Sequence, residues 1–346
     1  MPTLVRTVLE GVGPRAVFPG LLGSLLAPSS SHSADMPFQV LPWNGYKAAI
    51  SLTYDDGDPI HLDLVIPEMD KRGMRGTFFL VTRWIDRPDA WTKAAETGHE
   101  IGNHTRTHRH AAELKANEEK DEVAGAREDL EKLVGRPVLG FAYPFVEITE
   151  GLKKWIDPNA LAARGGYAAS YYLTPDSVPD WMNIPSQATM TNYTYDNYKF
   201  WVDRDLELGA WTVLMIHAIE GSNMWQPVPK DIYLKFLDYL ARKRKDLWIA
   251  PFSEVGAYWK AQKAMESASF TKEGARVGFR WMKPDPFPKG VVLKVRVPRG
   301  VKAVQGGRSL KPLSGDTYPV DFDAEELVLE GSTWEPGDEI PPPPES

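Results

Sequence analysis

The chain contains no cysteine. Structural disulfides and thiolate-ligated zinc are therefore excluded, and any metal must be held by His, Asp or Glu. It also lacks a basic excess: 40 Lys and Arg stand against 47 Asp and Glu, a net charge of −7. Nucleic acid and anionic membrane surfaces are thus poor candidate partners. A membrane-spanning helix needs ~20 apolar residues, and the apolar stretch at 16–26 falls far short of that. We find no internal repeat.

The rest of the composition is that of a globular protein. Hydrophobic residues make up 42% and charged residues 25% of 346 positions. That is enough for one large domain and a small one. There are 12 Trp and 13 Tyr. Most are expected to pack in or around the core, but some can line a groove, since aromatic faces stack on the apolar faces of sugar rings. Near the start, Arg6 and Arg15 precede the apolar stretch, and a small, polar run follows at 27–34. This is the order of an export signal, predicting a secreted or periplasmic protein. Glu10 and Pro19 fit a disordered cytoplasmic extension instead. On either reading, residues 1–36 stand apart from the fold.

From residue 46 the chain alternates between strand and helix signals. Apolar runs at 48–54, 76–82, 139–143, 167–173, 211–217 and 247–252 read as buried strands. Between them, helical spacing is read at 60–72, 91–97, 112–134, 151–164, 197–208, 231–245 and 252–265. Leu62, Val65, Ile66 and Met69, for example, share one helical face before Gly73 ends the run. Such alternation over 37–266 implies an α/β barrel or an open parallel sheet, with functional residues just after strand ends. From 267 to 335 the pattern changes to short β-like runs at 277–281, 291–297, 303–304, 318–322 and 327–329, divided by Pro and Gly turns. There is room for a small β-sandwich-like domain. Residues 336–346 form a proline-rich tail.

Three strand-end stretches carry chemistry. Thr53-Tyr54-Asp55-Asp56-Gly57 offers two carboxylates, and Gly57 permits a turn that can bring both into one site. Two carboxylates that close repel unless a cation intervenes. Equally, Asp56 or Asp58 can cap the following helix. His104 and His108 lie four apart, on one face in helix or strand, and neutral imidazoles so placed can chelate zinc or a similar ion. His99 reads as structural and His110 as solvent-facing. His217 closes an apolar strand, where a lone histidine is commonly a packed residue. The combination, all from the same predicted side of one sheet, favours a reaction centre.

In order and content these stretches resemble the polysaccharide deacetylases, the NodB-homology group also called carbohydrate esterase family four. The resemblance covers about residues 45–260. It rests on Thr53-Tyr54-Asp55-Asp56-Gly57, on His104-Thr105-x-x-His108 preceded by Gly98-His99-Glu100-Ile101-Gly102-Asn103, and on Leu214-x-x-His217. It implies a distorted (β/α) barrel of about seven strands. It also implies that Asp56, His104 and His108 hold one divalent metal ion, zinc first and cobalt or nickel next. Asp55 would be the general base and His217 the general acid. In Phe141-Ala142-Tyr143-Pro144-Phe145, Phe145 matches the aromatic whose backbone N–H lines the oxyanion hole, with Tyr143 beside it. Ala142 stands where the family has an arginine that steadies the base; Arg164 is one candidate replacement. Asp180-Trp181 loosely matches the family's acidic–tryptophan motif, which makes Trp181 a substrate-contact candidate.

The leading functional expectation is a metal-dependent hydrolase that removes acetyl groups from a polysaccharide or oligosaccharide. O-acetyl groups, as on xylan, are slightly preferred over N-acetyl groups, as on chitin or peptidoglycan. The alternatives are a small-molecule cyclic amide hydrolase on the same scaffold and a non-catalytic carbohydrate-binding protein.

Overall fold

The computed structural model describes residues 36–166 and 172–335. The expectations for the N-terminal leader, for most of the strand at 167–173 and for the proline-rich tail fall outside those residues.

The first strand, β1 (Gln39–Val40), pairs far away in sequence and belongs to the C-terminal sheets. The hub of the large unit is β2 (Ala48–Asp56). All nine of its residues are buried: Ile50, Leu52 and Tyr54 pack in an apolar core, while the alternating Ser51, Thr53 and Asp55 accept hydrogen bonds from Trp211 and Arg164. Four strands follow it in the chain: β3 (Thr77–Leu80), β4 (Glu100–Asn103), β5 (Gly140–Ala142) and β6 (Ala162–Arg164). Next come β7 (Gln187–Ala188), β8 (Trp211–Ile216) and β9 (Leu247–Ile249). Every pairing among these strands is parallel, in the order β6-β5-β4-β3-β2-β8-β7. One edge of β2 is shared, with β9 on its first residues and β3 on its last. Ile184 bridges to Arg164 while β7 pairs with β8, so residues 184–188 join the two free edges and close a distorted barrel.

The helices are α1 (Ile66–Lys71), α2 (Pro88–Glu96), α3 (Ala116–Lys120) and α4 (Ala126–Val134), then α5 (Glu150–Ile156), α6 (Tyr195–Leu208), α7 (Lys230–Lys243) and α8 (Phe252–Glu266). A wide turn at Asp121–Gly125 joins α3 to α4, and Gly135, at φ 66°, ends α4. The backbone stays helical through that wide turn, so the charged run expected as one helix at 112–134 is one continuous helix from residue 116 to 134 with a π-helical turn inside it. α8 seals the barrel at the starts of the strands. Phe252 packs on Phe79 and Trp211, and its N–H donates to Thr77 Oγ1 at 2.8 Å. One helix expectation fails. The segment read as helical over 151–164 leaves the helix at Ile156, and residues 162–164 form β6. Three residues buried on both faces carry no periodicity that separates strand from helix.

The C-terminal residues form two antiparallel sheets. Five strands, β10 (Ser269–Glu273), β11 (Arg276–Arg280), β13 (Lys302–Gln305), β14 (Arg308–Ser309) and β16 (Glu326–Glu330), make one. The other joins β1 to β12 (Val292–Arg296) and β15 (Thr317–Asp321). Val277, Phe279, Leu293, Val295, Leu327 and Leu329 alternate inward into a core shared with α8. β1 was grouped with the barrel by sequence; a two-residue strand carries no signal of its distant partner. Among the described residues no helix is long and apolar enough to cross a membrane.

Candidate active site

The ends of β2, β4, β5 and β8 open into one cavity of about 460 Å³, lined by Asp55, Asp56, His104, His108, Met215 and His217, with Tyr143, Phe145, Val146 and Trp225. Local backbone brings the carboxylates together. Asp56 and Gly57 both take positive φ, 73° and 78°. A Cβ on Gly57 would also press on Leu80 Cδ2 at 3.1 Å, so glycine is required there. The competing role of helix cap falls to Asp58, whose Oδ1 accepts from Ile60 N at 2.9 Å, leaving Asp56 to the cavity.

The histidine loop is stitched from below. Buried Glu122 accepts from the N–H groups of Arg106 and Thr107 at 3.0 and 2.9 Å. Thr105 Oγ1 accepts from His108 N at 3.1 Å. Thr105 and His108 sit at φ 68° and 57°, and Phe145 and Val146 at 53° and 60°. Non-glycine residues at positive φ cost roughly 1–3 kcal/mol each and collect where a site over-determines its backbone.

Asp56 Oδ1 is buried and has no hydrogen-bond partner. The Nε2 atoms of His104 and His108 each face it at 3.5 Å. His104 Nδ1 lies 2.8 Å from the carbonyl oxygen of Ala142. That oxygen only accepts, so Nδ1 carries the hydrogen and Nε2 turns a lone pair toward Asp56. Ligand atoms of Asp56, His104 and His108 lie within 4.8 Å of one another. Burial first, and then the neighbouring Asp55 charge, push the Asp56 carboxyl up to about 7. Burial holds His104 down to about 3 and lowers His108 as well. The cluster is therefore one acidic group and two neutral imidazoles converging on a point that calls for a cation.

Asp55 is the opposite case. Burial alone would raise its carboxyl, but the Arg164 guanidinium outweighs burial and holds it well below the usual range. Arg164 grips both oxygens, Nη1 to Oδ1 at 2.7 Å and Nη2 to Oδ2 at 2.6 Å. It also donates to Thr53 Oγ1 at 2.9 Å and lies over the Phe79 ring at 5.2 Å. The Phe79 ring needs Gly102 beneath it, where a Cβ would come within 2.4 Å. Arg164 on β6 is the direct register partner of Ala142 on β5. The guanidinium thus reaches Asp55 from the strand next to the alanine, at the same level of the sheet. His217 Nε2 lies 3.7 Å from Asp55 Oδ2, and burial lowers its pKa.

Of the other expected residues, Tyr143 lines the cavity, but its hydroxyl donates away to Met182 O at 2.9 Å. Phe145 is half-exposed and stacks on His110 at 3.7 Å. Trp181 is not brought to the cavity. It packs on Trp259 at 5.3 Å and under Lys260 Nζ at 4.7 Å, as a wall of the small core behind the barrel. Trp225, unread in the sequence, stands at the cavity instead, 4.7 Å from the His217 ring. His61 was also missed. Fully buried, it places Nε2 2.8 Å from the His217 carbonyl oxygen and so donates to it. Its only sequence cue was an imidazole four residues after Gly57. His99 is buried against Asp70, and His110 is exposed beside Glu147, as their readings anticipated.

The sequence profile of the polysaccharide deacetylases matches residues 44–157. A peptidoglycan-N-acetylglucosamine deacetylase of Bacillus cereus is 30% identical over 116 residues, 33% of this chain and 42% of that protein. A second protein of that name and species is 28% identical over 152 residues, 43% of this chain and 68% of its own length. The chain thus spans less than half of the first relative. Among solved structures, a proposed polysaccharide deacetylase from Mycobacterium smegmatis shares 18% identity, covering 66% of this chain and 96% of that one at a TM-score of 0.52. That likeness supports the barrel fold. The profile match contains Asp55, Asp56, His104, His108 and Phe145 and ends before Arg164 and His217. Over residues 44–157 the chain is thus similar to the polysaccharide deacetylases.

Proposed function

We propose that the protein hydrolyses acetyl groups from an acetylated carbohydrate, using a divalent cation held by Asp56, His104 and His108. The observation that carries this reading is the buried, partnerless Asp56 Oδ1 faced by two imidazole Nε2 atoms. Two nitrogens and one oxygen with no sulfur suit zinc first, then cobalt or nickel. When bound, such an ion supplies Lewis acidity, polarising a carbonyl oxygen and making water more acidic.

The remaining steps belong to the chain. Asp55, kept ionised by Arg164, accepts the proton of the attacking water. His217, whose Nε2 lies 3.7 Å from Asp55 Oδ2 in the same cavity, is the proposed acid that gives a proton to the departing oxygen or nitrogen. The N–H of Phe145 is the proposed donor to the developing oxyanion. An acetyl ester and water become a free hydroxyl and acetic acid; an acetamide would yield the amine. We place O-acetyl substrates first. Burial disfavours the charged form of His217, and expulsion of an amine depends on prior protonation more than loss of an alcohol does. The names of the Bacillus cereus relatives define the N-acetyl alternative.

Acetate release tests this reading, using acetylated xylan, chitooligosaccharides and peptidoglycan with zinc present or chelated. Metal-dependent release from xylan is expected to lead. Release only from the N-acetyl polymers reverses the preference, and no release from any of them overturns the function.

The cation site also predicts a proton linkage. Below about pH 7 Asp56 is protonated in the metal-free protein, while His104 stays neutral until about 3. Metal must displace one proton. Affinity should fall about tenfold per pH unit below 7 and level off above it. Competition with a chelating dye from pH 5.5 to 8 measures the slope. Two or more protons per metal would mean that the histidines are charged and the site is misread.

A further inference from the structure

In deacetylation the acyl fragment is two carbons, and the sugar is the leaving group. It must therefore depart past the residue that protonates it. On the function proposed above, on which this inference rests, His217 marks the wall of the cavity against which the acetyl-bearing sugar lies. Trp225 stands on that wall. Its ring is 4.7 Å from the His217 imidazole at an interplanar angle of 75°, and it is 48% exposed. Two other exposed rings, Phe145 in the cavity lining and Trp84 outside it, adjoin His108 on the cation side, at 4.5 and 5.2 Å.

The segment that presents Trp225 is fastened at both ends. Glu220 N donates to Val228 O at 2.8 Å, and Val228 N to Ala218 O at 2.9 Å. Ser222 Oγ bonds to Asp58 Oδ2, tying the segment to the turn that follows the two catalytic carboxylates. Gln226, at φ 51°, accepts from Thr191 N at 2.8 Å through Oε1. An indole left about half in water on a pinned loop gains nothing for folding from its exposed face.

We infer that Trp225 is the platform on which the acetyl-bearing pyranose ring stacks, and that it sets the preference for sugar over simple acetates. The C–H face of the sugar covers the exposed indole, and burial of ~60 Å² of apolar surface corresponds to roughly tenfold in affinity.

The test compares the full-length, zinc-loaded protein with Trp225→Ala and Trp225→Phe. Each is assayed on an acetylated xylooligosaccharide and on methyl acetate, whose leaving group has no ring. The ratio of kcat/KM between the two substrates should fall about tenfold in Trp225→Ala, mainly through KM for the sugar. Trp225→Phe should recover most of it. An unchanged ratio in an active variant overturns the inference alone. Wild-type protein that cleaves no acetylated sugar overturns the proposed function and takes this inference with it.

Discussion

Asp55→Asn is expected to lower kcat for acetate release by about 10²–10⁴-fold while the metal stays bound. The substitution keeps the shape of the side chain but removes both its capacity to take a proton and the charge that pairs with Arg164, so a loss of stability accompanies the loss of the base. Asp56, His104 and His108, the proposed ligands, are untouched, so metal content measured by elemental analysis should remain near one ion per chain. The loss should fall on kcat more than on KM, since the base acts in the transition state. Because Arg164 holds the carboxyl below the usual range, the wild-type base stays ionised between pH 5 and 8. The deficit of the variant should therefore be the same across that window. Activity within threefold of wild type, in a folded and metal-loaded variant, would remove Asp55 from the role of base.

How much of this centre could be read from sequence depended on how far each signal reaches. Asp55, Asp56, His104 and His108 were legible because each pair sits within one turn of chain at the end of a buried strand. His217 was legible because an apolar run ended on it. The arginine that fixes Asp55 was only a candidate. It lies 109 positions away, on a three-residue strand whose sequence reads equally as helix, and nothing local says that its side chain crosses the barrel. Trp181 and Trp225 show the same limit. A tryptophan next to an aspartate is not placed by that pairing; which ring faces the cavity is decided by the path of the loops and by packing against Trp259 and His217. The C-terminal strands were legible through alternation, but the pairing of β1 with β12 joins residues some 250 positions apart, which no periodicity encodes.

Arg164→Met should cost about 3–5 kcal/mol of stability, because it leaves a buried carboxylate without its partner. Both side chains are nearly inaccessible to solvent, at 1% and 2% exposure, and water cannot replace the guanidinium. Methionine fills much of the space across the Phe79 ring, so the loss measures the missing charge and two hydrogen bonds more than a cavity. The pH dependence fixes the cause. In the wild type the Asp55 pKa is depressed, so its contribution to stability is present above the unfolded value, about 4, and is lost only as pH falls through the lower folded value. Without Arg164, burial becomes the leading influence and raises the carboxyl. The variant then prefers the protonated form and loses stability as pH rises from about 4 through the raised value. The gap between the two unfolding free energies should widen from pH 4 to pH 8, measured in metal-free protein with urea. The double variant Asp55→Asn with Arg164→Met should recover most of the deficit, since no charge is left buried, while remaining inactive. The single variant, loaded with metal, should lose activity first near neutral pH and regain it on the alkaline side, where its base ionises. A gap that stays constant with pH would show that Arg164 contributes by packing and that the charge of Asp55 is balanced by another group.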